Sequence, residues 1–407
     1  MKKFLTISII LILVAAIAFG ASLYHYIDVT KGDTTPDQVA PTSAPTEEAT
    51  EEKLDVELPD EWQDNGIFSQ SYEKAYAYMQ NMSTEQMVGQ LLVGSCPTDD
   101  SAKSTLSKYA LSGYVYTADN FFDMTADEIK ATIADYQSSA STAMIMAVEE
   151  EGGAVTALSD LDAFPEYDFY SVRDVFAEGG MSAVENDETQ KAQLLSSVGI
   201  NVNLAPVCDM ATDLTQIMYS RSLGGTTEET AQYVGSATQI SQNKGVSVAL
   251  KHFPGYGTVE DSFDAVKVDS RDASQFEQND FKPFEAGIDE GAHLVMVSNV
   301  LVEKMDPNCI ASLSDYVHKV LRDELDFTGL IITDNLDYYD EYADFANSKS
   351  VYVQAVLAGN DLVMVDDVES AYKDILSAVN DGTIDEDTLQ KACMRVLAYK
   401  YTAGILK

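Results

Sequence analysis

The sequence predicts an α/β protein folded as a (β/α)8 TIM-type barrel in a single globular domain. Three observations predict it. From about Glu61 onward, eight short apolar runs alternate with helical patterns. Polar and acidic residues collect just after those runs, where a barrel places the carboxyl ends of its strands. The alternation and one terminal helix use up the 407-residue chain, leaving nothing for a second domain.

In order, the chain opens with Met1-Lys-Lys and an apolar run from Phe4 to about Leu23. Lys2 and Lys3 form a positive leader, and the run is long for a signal peptide and about right for one membrane span. Ala18-Phe-Gly20 offers a cleavage site, so residues 1–27 read as a signal peptide or an N-terminal membrane anchor. No cysteine follows that would carry a lipid, and the charge bias exports the remainder to the extracellular side. Residues 28–60, rich in Thr, Pro and Glu, have too little apolar content to fold and read as a disordered linker holding the domain off the membrane.

Residues 61–407 then form the barrel. The predicted strands are Leu91–Gly94, Gly113–Tyr116, Ala143–Val148, Val202–Leu204, Val246–Leu250, Leu294–Val297, Leu330–Thr333 and Leu362–Val365. Between them, Ser83 with Gln86, Thr125 with Glu128 and Thr226 with Glu229 have the spacing of capping boxes at helix starts. Gly245 closes a helix just before the fifth strand, and Asp385 to Leu406 reads as a terminal helix. A doubly wound open sheet is the competing architecture. Its dinucleotide-binding version needs a G-x-G-x-x-G turn, which the chain lacks.

Acids number 67 against 25 bases, for a net charge of −42. That excludes nucleic acid and anionic lipid surfaces as partners, since both select clustered Lys and Arg. Membrane contact is left to the N-terminal segment, and the self-repelling charge suits a monomer. Cys96, Cys208, Cys309 and Cys393 are far apart, with no zinc or disulfide pattern, and read as buried thiols. No metal, nucleotide or flavin site is visible, so no cofactor is expected.

The strand ends carry the chemistry. The third ends Ala147-Val-Glu-Glu-Glu-Gly-Gly153, and the fourth leads to Asp209 and then Tyr219-Ser-Arg-Ser. The fifth delivers Lys251 and His252, then breaks at Pro254, Gly255 and Gly257 into a loop ending in Glu260 and Asp261. The sixth ends in Ser298-Asn299, the seventh in Asp334-Asn335 and the eighth in Asp366 and Asp367. Buried unpaired carboxylates are costly, so packing does not explain this many acids. With Arg221, Lys251 and His252 among them, they describe a polar pocket for a neutral, polyhydroxylated ligand. Asp334 follows a fully apolar strand, and taken alone it reads more readily as a helix N-cap than as a catalytic group.

These segments carry a resemblance. Lys251 to Gly255, Gly257 and Asp261-Ser262 are similar to the K-H-F-P-G-H-G-D-T-x-x-D-S-H signature of glycoside hydrolase family 3, in its single-domain bacterial β-N-acetylglucosaminidase branch. Gly199-Ile-Asn-Val-Asn-Leu-Ala-Pro-Val-Cys-Asp209 resembles G-I-N-x-N-F-A-P-V-x-D, and Arg221-Ser resembles the sugar-binding R-S. Phe281-Lys-Pro-Phe284 and Leu321-Arg-Asp-Glu-Leu-Asp-Phe-Thr-Gly329 resemble two further family segments, and Ile332-Thr-Asp-Asn-Leu resembles I-S-D-D-L. Together they run from about Ser83 to the C-terminus. The resemblance implies a retaining β-N-acetylhexosaminidase-like glycosidase with Asp334 as nucleophile and Glu149, Arg221, Lys251 and His252 binding the sugar.

The chain also departs from the family. Tyr256 and Phe263 stand where the loop has two histidines, the second being the general acid/base, and the loop is one residue shorter. Glu149 replaces an Asp, Ala154 and Ala157 replace arginines, and Val297-Ser-Asn299 replaces T-A-H. Three readings follow. The protein is a glycosidase acting on β-linked amino sugars or related glycans at the bacterial cell surface, with Glu260, Asp261 or Asp264 supplying the proton. Alternatively it is a catalytically impaired barrel that binds peptidoglycan or other glycans, or a scaffold with a vestigial pocket.

Overall fold

A computed structural model describes Leu58, Pro59, Trp62 and residues 65–262, 266–338 and 340–407 of the chain. Its strands, in order, are β1 (Leu92–Ser95), β2 (Gly113–Tyr116), β3 (Ile145–Val148), β4 (Val202–Asn203), β5 (Ser247–Phe253), β6 (Val268–Asp269), β7 (Leu294–Val297), β8 (Leu301–Val302), β9 (Leu330–Thr333) and β10 (Val363–Val365). Eight of them pair in parallel in the order β10-β1-β2-β3-β4-β5-β7-β9. A parallel bridge between Ile332 and Leu362 joins the two ends, with Thr333 N–H donating to the Leu362 carbonyl at 3.1 Å. The ring is therefore closed, which rules out the open-sheet alternative. All eight predicted runs lie in it.

The strands are short and apolar because both of their faces are covered. Every residue of β2, β3, β7 and β9 is buried. Helices start where the sequence places caps. Ser83, Thr125 and Thr226 each accept a bond from the third residue onward, which reaches back in return. Gly245 has φ +80°, a left-handed turn that stops the helix Thr227–Gln242 one residue before Val246. The terminal helix Glu386–Thr402 is capped by Asp385 and packs on the helix Tyr72–Met79. Trp62 Nε1 donates to Asp387 at 3.0 Å, tying the start of the domain to that helix. Each fully buried Leu, Val, Ile or Phe contributes roughly 1.5–3 kcal/mol.

All four cysteines are free and buried, and burial pushes the Cys96 and Cys393 thiols up to about 12. Two features differ from the sequence reading. The fifth strand runs on through Lys251 and His252 to Phe253 rather than stopping at Leu250, because the Pro206–Cys208 segment pairs with it: Lys251 N–H donates to Pro206 O and Cys208 N–H to Lys251 O. The β6–β8 ribbon was not legible, since two-residue strands with Val268 exposed show no alternation.

The segment read as a signal peptide or anchor lies outside the described residues, as does the linker except Leu58 and Pro59. Leu58 packs on the core, so packing reaches back slightly beyond residue 61. Among the described residues no helix is long and apolar enough to cross a membrane.

Candidate active site

Parallel strands place all their carboxyl ends at one end of the barrel, and the polar residues meet there. Lys251 is the hub. The register between β5 and β7 shifts after Leu250, a break in strict alternation at which two consecutive side chains, Lys251 and His252, both engage carboxylates. Lys251 Nζ, sealed from solvent, lies 2.7 Å from Glu149 and 2.5 Å from Glu151. Burial alone would lower its pKa, but the charges of Glu149 and Glu151 outweigh it and raise the value above the usual lysine range.

The three consecutive glutamates after β3 have separate jobs. Glu150 turns inward and accepts from the N–H groups of Ala157 (3.0 Å) and Leu158 (2.8 Å) and from the Ser159 hydroxyl (2.5 Å). It holds the loop. Glu149 and Glu151 face the other way, toward the pocket. Arg221 forks onto Glu151 at 2.9 and 2.6 Å. Burial raises the Glu151 pKa, yet Lys251 and Arg221 pull it down to about 2. Glu149, whose carboxylate among the described residues is ion-paired with Lys251 alone, keeps 38% of its side chain exposed and is the carboxylate left to meet a ligand. Arg173 braces the Arg221 loop, bonding Tyr219 O (2.7 Å), Ala211 O (2.6 Å) and Ser222 Oγ (2.8 Å).

His252 is oriented by Asp209. Asp209 Oδ2 lies 2.7 Å from His252 Nδ1, and its Oδ1 accepts the Tyr256 N–H at 2.8 Å. The Tyr256 ring meets the imidazole edge-on, with centroids 5.4 Å apart. The Tyr256 phenol is pushed well above the tyrosine range by burial and by the charges of Asp334 and Asp209, so it stays protonated beside Asp334.

Asp334 leaves β9 with its N–H on Val297 O at 2.8 Å, and its Oδ1 accepts the Asn335 N–H at 2.7 Å. No α-helix starts there among the described residues: the next is Val351–Ala358, with its N-cap at Ser350. Helix capping therefore does not explain Asp334. Burial raises its pKa, and His252, the Asn335 N–H and Lys251 counter part of the rise. Its backbone is held from behind. Asn299 Nδ2 donates to Asn335 O at 2.8 Å, Ser312 Oγ to Asn299 Oδ1 at 2.6 Å, and Asn335 Nδ2 to Asp366 at 2.7 Å. Asn299, one of the departures from the family pattern, thus has a structural task under the Asp334 turn.

The structure brings Asp334, Glu149, Arg221, Lys251 and His252 into one electrostatic cluster. It does not bring Glu260 and Asp261 into it. Both are exposed, and the loop is held by its backbone: Ile217 N–H donates to Val259 O and Asp261 N–H to Thr215 O. Among the described residues neither side chain bonds to the cluster. Gly255 (φ +117°) and Gly257 (φ +48°) fit because Asp280 and the Arg271 guanidinium press against them. A cavity of about 610 Å³ opens beside this loop, lined by Glu260, Ser262, Lys267 and Arg271 among others, and it contains none of the cluster residues. Phe263 and Asp264 lie outside the described residues. Ala154 is exposed, whereas Ala157 is buried with its N–H bound by Glu150, a position that leaves no room for an arginine in the same packing. Among the described residues no group of three or more His, Cys, Asp and Glu could hold a metal ion.

Sequence reasoning named Glu151 and Asp209 only among the acids at the strand ends and Tyr256 only as a departure in the loop, and gave none of them a role. For Glu151 a signal existed. Alternation continued past β3 puts Glu149 and Glu151 on one face and Glu150 on the other.

Three comparisons bear on this geometry. Residues 83–399 match the model of the glycosyl hydrolase family 3 N terminal domain. A beta-hexosaminidase of Idiomarina loihiensis is 26% identical over 292 residues, covering 68% of this chain and 84% of that protein. Among solved structures, a glycoside hydrolase family 3 beta-N-acetylglucosaminidase from Paenibacillus sp. str. FPU-7 superposes with a TM-score of 0.73 at 27% identity, over 80% of this chain and 63% of that longer one. A beta-N-acetylhexosaminidase from Beutenbergia cavernae gives 0.68 at 26% identity, over 79% of this chain and 99% of its own.

Proposed function

The chain belongs to glycosyl hydrolase family 3, and on that premise we propose that it is a retaining glycosidase acting on β-linked N-acetylhexosaminides, with Asp334 as its nucleophile. One observation carries the reading. A carboxylate with no capping role stands at the end of β9, in electrostatic reach of His252, Lys251 and Glu149. In the reaction an Asp334 oxygen bonds to the anomeric carbon as the bond to the leaving oxygen breaks, giving a glycosyl-enzyme that water then hydrolyses. Glu149, Arg221, Lys251 and His252 hold the ring hydroxyls. The leaving oxygen needs a proton, and Glu260 and Asp261 are the loop groups with the right chemistry.

The location we propose is extracellular, at the bacterial cell surface, on the strength of Lys2, Lys3 and the apolar run that follows. The monomeric state rests on the net charge of −42. A second reading, a barrel that binds glycans with little or no turnover, is favoured by the separation of Glu260 and Asp261 from the cluster.

Hydrolysis by the purified protein tests both, using a nitrophenyl N-acetyl-β-glucosaminide and an unactivated β-linked disaccharide beside Asp334→Asn. Turnover of both substrates, abolished by the substitution, supports the first reading. Turnover of the nitrophenyl substrate alone means the nucleophile works without an acid, and turnover of neither favours the binding protein.

A further inference from the structure

Glu151 holds Lys251 and Arg221 in the pocket, at 2.5 and 2.6 Å, and its own backbone is held by a residue outside it. The Glu151 N–H donates to Val155 O at 3.0 Å. Its carbonyl accepts from Lys191 Nζ at 2.7 Å. By then β3 has ended at Val148, and Gly152 and Gly153 follow at φ +93° and +65°, so strand pairing does not fix this carbonyl. Lys191 belongs to the helix Val172–Val198 and is 1% exposed. Its Nζ also lies 2.7 Å from Asp187 and 3.0 Å from Glu188, one turn back on the same helix. We propose that Lys191 is a positioning residue for the sugar pocket, acting through the Glu151 carbonyl on the carboxylate that holds Lys251 and Arg221.

The chemistry of the donor supports this role, which rests on the glycosidase reading above. An ammonium has three N–H donors, and two carboxylates and one carbonyl fill them here. Burial lowers the Lys191 pKa, but Glu188 and Asp187 outweigh it and raise the value above the usual lysine range, so the donor stays charged. A charged donor makes a shorter and stronger bond to the carbonyl than a neutral one. The ammonium also lies 5.7 Å from the centre of the Phe169 ring, and Phe169 O accepts the Gly153 N–H at 2.7 Å. Lys191 thus meets both ends of the loop that follows β3. Stability alone is a weak reason for the arrangement, since a buried ion cluster is often no more stable than apolar side chains of the same volume.

Arg322 supplies an internal control. Its guanidinium also sits on backbone carbonyls, Phe327 O at 2.8 Å and Gly329 O at 2.6 Å, and pairs with the Asp361 carboxylate at 2.8 Å. Those carbonyls precede β9, which starts at Leu330, so they lie at the amino end of the barrel. The bonds there serve the fold and reach none of Glu149, Arg221, Lys251 and His252.

The test is steady-state kinetics of the full chain on the nitrophenyl N-acetyl-β-glucosaminide, read beside the melting temperature. Lys191→Met leaves Asp187 and Glu188 without their cation and is expected to lose stability. A triple variant, Asp187→Asn with Glu188→Leu and Lys191→Met, removes those charges, and its melting temperature should return toward wild type. Both variants should raise KM ~10-fold with kcat within ~3-fold, the pattern of lost ground-state binding. Calorimetric affinity for N-acetylglucosamine, expected to fall by the same ~10-fold, reads the effect without turnover. Arg322→Met should lower the melting temperature and leave KM within ~2-fold. A triple variant whose KM and affinity match wild type overturns the proposal, as does an Arg322→Met protein that loses as much as Lys191→Met. If wild type neither turns over the substrate nor binds N-acetylglucosamine, the glycosidase reading falls and the positioning role with it. If wild type does either and the Lys191 variants match it, the positioning role alone falls.

Discussion

Lys251 stands at the carboxyl end of the barrel and Lys400 beneath its amino end, and both side chains are sealed from solvent. Lys400 Nζ donates to Gln90 Oε1 at 2.7 Å and to Ser112 O at 3.1 Å, both neutral acceptors. Burial pushes its pKa down to about 7, with Cys393 opposing slightly. Lys251 meets the same burial, yet Glu149 and Glu151 raise its pKa. One end of the barrel uses a lysine as a near-neutral hydrogen-bond donor. The other holds a charged network, in which Lys251 pairs with Glu149 and Glu151 and Arg221 with Glu151. The difference marks which end is built for a polar ligand.

The largest effect that would sharpen this contrast lies within the charged end. Asp334→Asn should lower kcat on the nitrophenyl substrate by ~10⁴-fold or more. Its melting temperature should stay near that of wild type, since among the described residues the carboxylate accepts a single hydrogen bond, from the N–H of its neighbour Asn335. A variant that keeps wild-type turnover would remove Asp334 from the chemistry.

Next is Lys251→Met, which leaves Glu149 and Glu151 without their shared cation. Urea unfolding should show a loss of roughly 3–5 kcal/mol, the range for breaking a buried ion pair. A loss below about 1 kcal/mol, no larger than an exposed pair is worth, would break the comparison. Smaller again is the double change Glu260→Gln with Asp261→Asn. If these carboxylates supply the proton, kcat on the unactivated disaccharide falls by ~10²-fold while the nitrophenyl substrate, with its good leaving group, is little affected. Equal effects on the two substrates would point to a binding role instead.

A pH dependence sharpens the contrast at the other end. Unfolded, the Lys400 amine holds its proton up to about 10.5, but folded only up to about 7. Between those values the unfolded state binds more protons, so this group's contribution to stability rises with pH. Wild type should therefore gain on Lys400→Met as pH rises from about 7 toward 10.5, read as the difference between their unfolding midpoints. A difference that is flat or falls with pH would mean that Lys400 is charged in the core.

The eight strands were legible because each is an apolar run bounded by turn residues, and their polar ends told where the site lies. Asp334, Lys251, His252, Arg221 and Glu149 were legible for the same reason, helped by the family's motifs. What stayed hidden depends on long-range geometry. Glu151 could be separated from Glu150 only once Lys251 was known to stand opposite. Asp209 becomes an orienting group only when the loop after β4 is folded against His252. Asp334 reads as an N-cap or as a nucleophile until the structure shows that no α-helix follows it directly. Glu260 and Asp261 have the right chemistry in sequence, but the backbone pairing of their loop with residues 215–217 leaves their side chains outside the cluster.

The measurement that tests the central claim most directly is covalent trapping. The protein is incubated with a fluorinated N-acetyl-β-glucosaminide that forms its glycosyl-enzyme faster than water removes it, then digested and read by mass spectrometry. The account predicts one added sugar on the peptide carrying Asp334, absent from Asp334→Asn. An adduct on another residue, or none from a sugar that demonstrably binds, would contradict it.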